Sequence, residues 1–110
     1  GGLSGAPLFE MSTHVLAAMA RHLAGNGPAL IGAGGVATGW QAYAKILVGA
    51  SLVQLYTALA LHGPELPAQV ISELAALLRA DGHDSIEAAR GSIPDAGAAI
   101  RHALHLAQNV

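Results

Sequence analysis

The chain is predicted to be α/β: the last two strands of a parallel barrel with their flanking helices, incomplete on its own. Three observations predict this class. Two apolar stretches, at about 29–32 and 51–56, read as strands, and the second is a near-continuous apolar run, as expected for a parallel strand covered on both faces. A helix-length segment, about 39–48, lies between them, as a right-handed parallel crossover requires. Finally, the chain is 53% hydrophobic with 4% aromatic residues, and much of the apolar content is alanine, which favours packed helices over a β-sandwich. Two parallel strands leave polar edges and apolar faces uncovered. The missing strands are therefore expected from upstream sequence or a partner, and the chain is expected to be a piece of a longer protein.

Each element follows from its local chemistry. Residues 1–7 form a glycine-rich loop. Ser12 or Thr13 is a suitable cap for a helix to about residue 23, with Val15, Leu16, Met19 and Leu23 on one face. Gly25-Asn26-Gly27-Pro28 ends it. After the first strand, Thr38 is placed to cap a helix that Gly49 stops. The second strand leads to a short helical turn over 57–62, broken by Gly63-Pro64. Pro64 or Pro67 opens a long helix to about residue 80, striped by Val70, Ile71, Leu74, Leu77 and Leu78. Asp81-Gly82 ends it. A short helix over 85–90 is capped by Ser85, and Pro94-Asp95 leads into a last helix from 96 to about 108. Residues 1–91 are expected to form the barrel segment and 92–110 a helical C-terminal extension.

Bulk properties remove several function classes. A formal net charge of −2 and a pI near 6.3 argue against a nucleic-acid partner, which calls for a basic stripe. The absence of cysteine removes disulfides and thiolate metal sites. The most apolar run, 46–61, is interrupted by Gly49, Ser51, Gln54 and Thr57, and is short of the roughly 20 residues a membrane span needs.

The chemistry gathers at the two strand ends. At Gly34-Gly35, successive backbone N–H groups are free to turn toward an anion and no side chain blocks its approach. The helix beginning after Thr38 adds its positive end. A tight strand-to-helix turn that binds nothing is the other reading of these glycines. Tyr56-Thr57 ends the second strand in the equivalent place. Two neighbouring strand ends offering N–H groups and a hydroxyl match the phosphate site that barrels build after strands 7 and 8.

Gly1-Gly2-Leu3-Ser4-Gly5, Ile31-Gly32-Ala33-Gly34-Gly35-Val36, Gly49-Ala50-Ser51-Leu52-Val53-Gln54-Leu55-Tyr56-Thr57-Ala58-Leu59 and then Gly63-Pro64 resemble, in order and spacing, the C-terminal part of dihydroorotate dehydrogenase. The run Leu52-Val53-Gln54-Leu55-Tyr56 with Gly63-Pro64 is more similar to the class 2, quinone-dependent enzymes than to the soluble classes. The resemblance covers about residues 1–91. It implies an FMN-containing (β/α)8 TIM barrel, of which this chain would supply about strands 7 and 8. The implied reaction oxidises dihydroorotate to orotate in pyrimidine (UMP) synthesis and passes electrons to a membrane quinone. It implies FMN contacts at Gly5, Gly35, Tyr56 and Thr57, with Gly34 beside them, holding the phosphate and ribityl end.

By the same resemblance no catalytic residue lies in this chain. The family's serine base, its flavin-side lysine and its substrate-holding asparagines would lie upstream of Gly1, and Ser4 belongs to the glycine loop. The intact enzyme is expected to sit peripherally on the cytoplasmic side of the inner membrane through an N-terminal segment; this piece alone would be cytoplasmic. Two alternatives are a soluble class 1 dihydroorotate dehydrogenase or other FMN- or phosphate-binding barrel, and an inactive fragment without independent function.

Other residues read more simply. The six histidines, His14, His22, His62, His83, His102 and His105, are expected at the surface. His102 and His105 share a helix face, but two ligands make a poor metal site, and none is expected. Lys45, the only lysine, lies mid-helix and is expected to be solvated. Trp40 is expected to pack at the helix–barrel boundary. Glu65, Glu73, Asp81, Asp84 and Glu87 read as exposed charges and helix-end residues.

Overall fold

The computed structural model describes residues 6–23, 31–32, 38–50, 52–53 and 66–109. In chain order these form α1 (Ala6–Leu23), β1 (Ile31–Gly32), α2 (Gly39–Val48), β2 (Leu52–Val53), α3 (Leu66–Ala80), α4 (Ile86–Ala89) and α5 (Ala96–Asn109). The strands β1 and β2 pair in parallel, with Ile31 opposite Leu52 and Gly32 opposite Val53. The chain is therefore α/β, with α2 lying in the connection between two parallel neighbours, as the strand–helix–strand pattern requires.

The limits of α2 are set by the residues that flank it. Thr38 is extended (φ −137°, ψ 165°), and its hydroxyl oxygen accepts the Gln41 N–H at 3.3 Å. That satisfies one of the donors a helix start leaves open. At the other end Gly49 takes φ 132°, outside the range that L side chains favour, and its N–H donates to the Ile46 carbonyl at 3.0 Å. A Cβ on Gly49 would also lie 2.8 Å from the Ala20 Cβ, so glycine is required both by the turn and by the approach of α1.

The core is built around α2, which packs against α1, α3 and α5. Gly39 and every residue from Ala42 to Val48 are buried. Alanine explains the close approach. Ala17 on α1, Ala42 and Ala44 on α2, and Ala96, Ala99 and Ala103 on α5 are all in the core, where small side chains let helices come together. Phe9, Leu16, Tyr43, Leu47, Val70 and Leu77 fill the space between them. The segment after α4 adds a second tie. Gly91 N–H donates at 3.0 Å to the Ile46 carbonyl, which it shares with Gly49, and Ile93 N–H donates to the Leu47 carbonyl at 3.1 Å at the end of α2. Asp95 then caps α5, its Oδ2 accepting the Ala98 N–H at 2.8 Å.

Two elements differ from the expectations above. The first helix begins at Ala6, so Ser12 and Thr13 lie inside it rather than at its cap. Their hydroxyls donate instead to the Phe9 carbonyl, at 3.2 and 2.6 Å. A hydroxyl can satisfy itself on a preceding-turn carbonyl as readily as on a cap donor. The buried face of α1 is consequently Phe9, Thr13, Leu16 and Ala17, while Val15 and Met19 are 55% and 50% exposed. On α3, Val70 and Leu77 are buried and Leu74 and Leu78 pack partly against the core, but Ile71 is 66% exposed. The side chains one position off each true stripe are the ones that face outward. Among the described residues no helix is long and apolar enough to cross a membrane.

Candidate functional site

Because β1 and β2 are parallel and in register, both finish at the same end of the sheet, at Gly32 and at Val53. Gly34 and Gly35 follow two and three residues beyond the first of these ends, and Tyr56 and Thr57 follow three and four beyond the second. These four residues and Gly5 lie outside the described residues, as do the expected turn over 57–62 and the side chains of His22 and His62.

The start of α2, four residues after Gly35, is described in detail. Gly39 N–H donates to Glu73 Oε1 of α3 at 2.9 Å. A Cβ on Gly39 would lie 2.3 Å from the Glu73 Cβ and 2.9 Å from the Glu73 carbonyl carbon, so α3 rests against bare backbone there. Two N–H groups at the positive end of α2 are thus already engaged, one by Thr38 and one by Glu73. Glu73 is exposed, as expected, and its carboxylate is also a helix-terminus partner. No sequence spacing points to it, since 34 residues separate it from Gly39.

Lys45 also corrects its expectation. It is 0% exposed, and its ammonium donates to Ser12 Oγ at 2.5 Å and lies 5.1 Å from the centre of the Phe9 ring. The Phe9 ring in turn meets Trp40 edge-on, with centroids 5.5 Å apart, which places the half-buried Trp40 in helix packing. Lys45 is buried because α2 has helices against it on several sides, so a mid-helix position there is no guarantee of solvent. Burial lowers its ammonium from 10.5 to about 8. It lies on a helix in the α1–α2 interface, not at a strand end.

A second polar group joins α2, α3 and α5. The buried Tyr43 hydroxyl donates to Asp81 Oδ2, His102 Nε2 lies 2.9 Å from Asp81 Oδ1, and His83 Nε2 lies 3.6 Å from Asp81 Oδ2. Burial, followed by the hydrogen bond and charge of Asp81, pushes the Tyr43 phenol above its usual range. Asp81 and His102 are therefore structural partners rather than free surface groups. His14 and His105 are exposed as expected. The signal available for this cluster was the position of Asp81 just past α3, with no indication of the partners that would converge on it.

The family model of dihydroorotate dehydrogenase matches residues 1–78. The chain is similar to "Dihydroorotate dehydrogenase (quinone)" of Azorhizobium caulinodans, at 56% identity over 92 residues, covering 84% of this chain and 26% of that protein. It is also similar to the mitochondrial dihydroorotate dehydrogenase (quinone) of Oryza sativa subsp. japonica, at 52% identity, covering 84% of this chain and 19% of that protein. The chain thus spans about a quarter or less of the curated relatives it matches. Among solved structures, DHODH from Eimeria tenella in complex with ferulenol shares the fold at a TM-score of 0.78 and 40% identity, over 83% of this chain and 24% of that one. By a family match over most of its length and a fold shared with solved members, the chain belongs to the dihydroorotate dehydrogenase family.

Proposed function

We propose that this chain is the C-terminal part of the (β/α)8 barrel of a quinone-dependent dihydroorotate dehydrogenase, at about strands 7 and 8, and that it supplies the FMN phosphate-binding loops. The intact enzyme oxidises dihydroorotate to orotate in pyrimidine synthesis and passes electrons to a quinone. It contacts the membrane peripherally, on the cytoplasmic side of the inner membrane. The observation that carries the reading is the parallel, in-register pair β1–β2, whose strands finish at the same end of the sheet, with Gly34-Gly35 and Tyr56-Thr57 following them in sequence. Barrels place a phosphate site at such an end. The similarity to quinone-dependent relatives supports the acceptor. A further support is the stripe Met11, Val15 and Met19, spaced four apart and exposed on α1, as on a helix whose barrel neighbour packs there.

The donor set fits FMN. A phosphate needs N–H and O–H donors that it can approach closely, and a pair of glycines beside a threonine hydroxyl offers both. When bound, FMN supplies the acceptor for the hydride that leaves dihydroorotate. The share of this chain is to hold and orient. Gly5, Gly35, Tyr56 and Thr57, with Gly34 beside them, would hold the phosphate and ribityl end. Proton removal and the grip on substrate belong to other parts of the enzyme. In the intact enzyme, Gly35→Leu puts a bulky side chain where the phosphate must approach, so the purified protein is expected to carry less FMN than wild type by flavin absorbance. Full flavin occupancy in that variant would sink the assignment.

A further inference from the structure

We propose that residues 91–109 form a latched strap: a C-terminal segment that lies across α2, is fastened at Asp81, and opens as one unit while α1 and α2 stay folded. The strap stands independently of the FMN reading above. Its near end is tied through the backbone, where Gly91 N–H donates to the Ile46 carbonyl at 3.0 Å and Ile93 N–H to the Leu47 carbonyl at 3.1 Å. From α1, Arg21 Nη1 donates to the Pro94 carbonyl at 3.3 Å. Farther along, the strap is tied by a side chain: His102 Nε2 of α5 lies 2.9 Å from Asp81 Oδ1. A carboxylate accepts, so Nε2 donates. The other oxygen of Asp81 accepts from the buried Tyr43 hydroxyl of α2. Asp81 thus joins α5 to α2 from its own place just past the end of α3. The strap lies beyond residues 1–78, the part that matches the family model.

The apolar hold of α5 is modest. Its buried side chains are Ala96, Ala99 and Ala103, each of which hides little apolar surface, while Ile100, Leu106 and Ala107 are only partly covered. By contrast α1 buries Phe9 and Leu16, and α2 buries Tyr43, Ile46, Leu47 and Val48. Opening the strap therefore costs less than opening the helices beneath it, and a polar contact decides a larger share of its hold. Asp81 is suited to be that contact. A carboxylate at the C-terminal end of a helix faces the negative end of the dipole and is unfavourable without partners. Tyr43, His102 and, at 3.6 Å from Oδ2, His83 supply them. When α5 leaves, Asp81 loses His102 but keeps Tyr43 and His83, so the latch re-forms on a carboxylate that stays in place.

Hydrogen–deuterium exchange of the intact protein, read by mass spectrometry on peptides from α5 and from α1, tests the strap. In wild type, α5 is expected to exchange faster than α1, as a unit that opens by itself. His102→Ala removes the latch contact and is expected to speed exchange throughout α5 by about tenfold, the scale of a lost charge-assisted hydrogen bond, with α1 unchanged. His105→Ala makes the same change in helix propensity at an exposed position on the same helix, and should not speed exchange. In an Asp81→Ala background the His102→Ala change should add nothing, because its partner is already gone. Where Asp81→Ala does not fold, the two histidine variants decide. Exchange of α5 that speeds up only together with α1 would overturn the separate opening. Equal exchange of α5 in His102→Ala and wild type would overturn the latch.

Discussion

Lys45 is the residue whose surroundings most change its chemistry. Its ammonium is held between the Ser12 hydroxyl and the Phe9 ring, out of solvent. Burial disfavours the charged form, and the group falls from 10.5 to about 8. The unfolded chain therefore binds more protons than the folded one between about pH 8 and 10.5. Stability is lowest below that window and rises with pH through it, by at most about 3 kcal/mol. Lys45→Met keeps the length of the side chain and removes the titration. Urea denaturation of the intact protein at pH 7.5 and pH 10 should show wild type gaining on the Met variant. A constant gap at the two pH values would mean that Lys45 is solvated after all. The sequence offered no access to this burial, because a lysine in the middle of an amphipathic helix is ordinarily a surface group. The same holds for Asp81, whose partners Tyr43, His83 and His102 come from three separate places in the chain.

At the scale of elements, α2 was the most legible part of the chain. Thr38 and Gly49 are local signals, and local signals decide where a helix begins and ends. The face of α1 was not legible. Ser12 and Thr13 look like caps from sequence, yet each finds a carbonyl one turn back, and the helix runs through them from Ala6. The α2–α1 contact makes a sharper prediction at Gly49. Gly49→Ala combines φ 132° with a methyl 2.8 Å from the Ala20 methyl, and is expected to destabilise the intact protein by about 2 kcal/mol. In the background of Ala20→Gly the steric part disappears while the backbone part remains. The same Gly49→Ala change should then cost less, by a double-mutant cycle read from denaturation midpoints. Equal costs in the two backgrounds would show that α1 does not press on this turn.

For the whole molecule, the parallel strand pairing was contained in the strand–helix–strand pattern and the packing of helices in the alanine content, while the central position of α2 was not. Nor was the cover that α5 gives α2. A helix expected over 96–108 says nothing about what it packs against, and the bonds from Gly91 and Ile93 to the end of α2 join segments that no local signal pairs. The motif residues Gly5, Gly34-Gly35 and Tyr56-Thr57 lie outside the described residues and stand as a proposal, while the Glu73–Gly39 bond was not legible, because it spans 34 residues. The exposure of Met11, Val15 and Met19 was likewise not legible from the periodicity of α1. In the function proposed above, the two strand ends present one anion site. A crystal structure of the intact enzyme with its flavin measures that site directly. The FMN phosphate oxygens are expected at about 2.7–3.2 Å from the Gly35 backbone N and the Thr57 hydroxyl. A phosphate bound elsewhere, or a flavin lacking one, would contradict it.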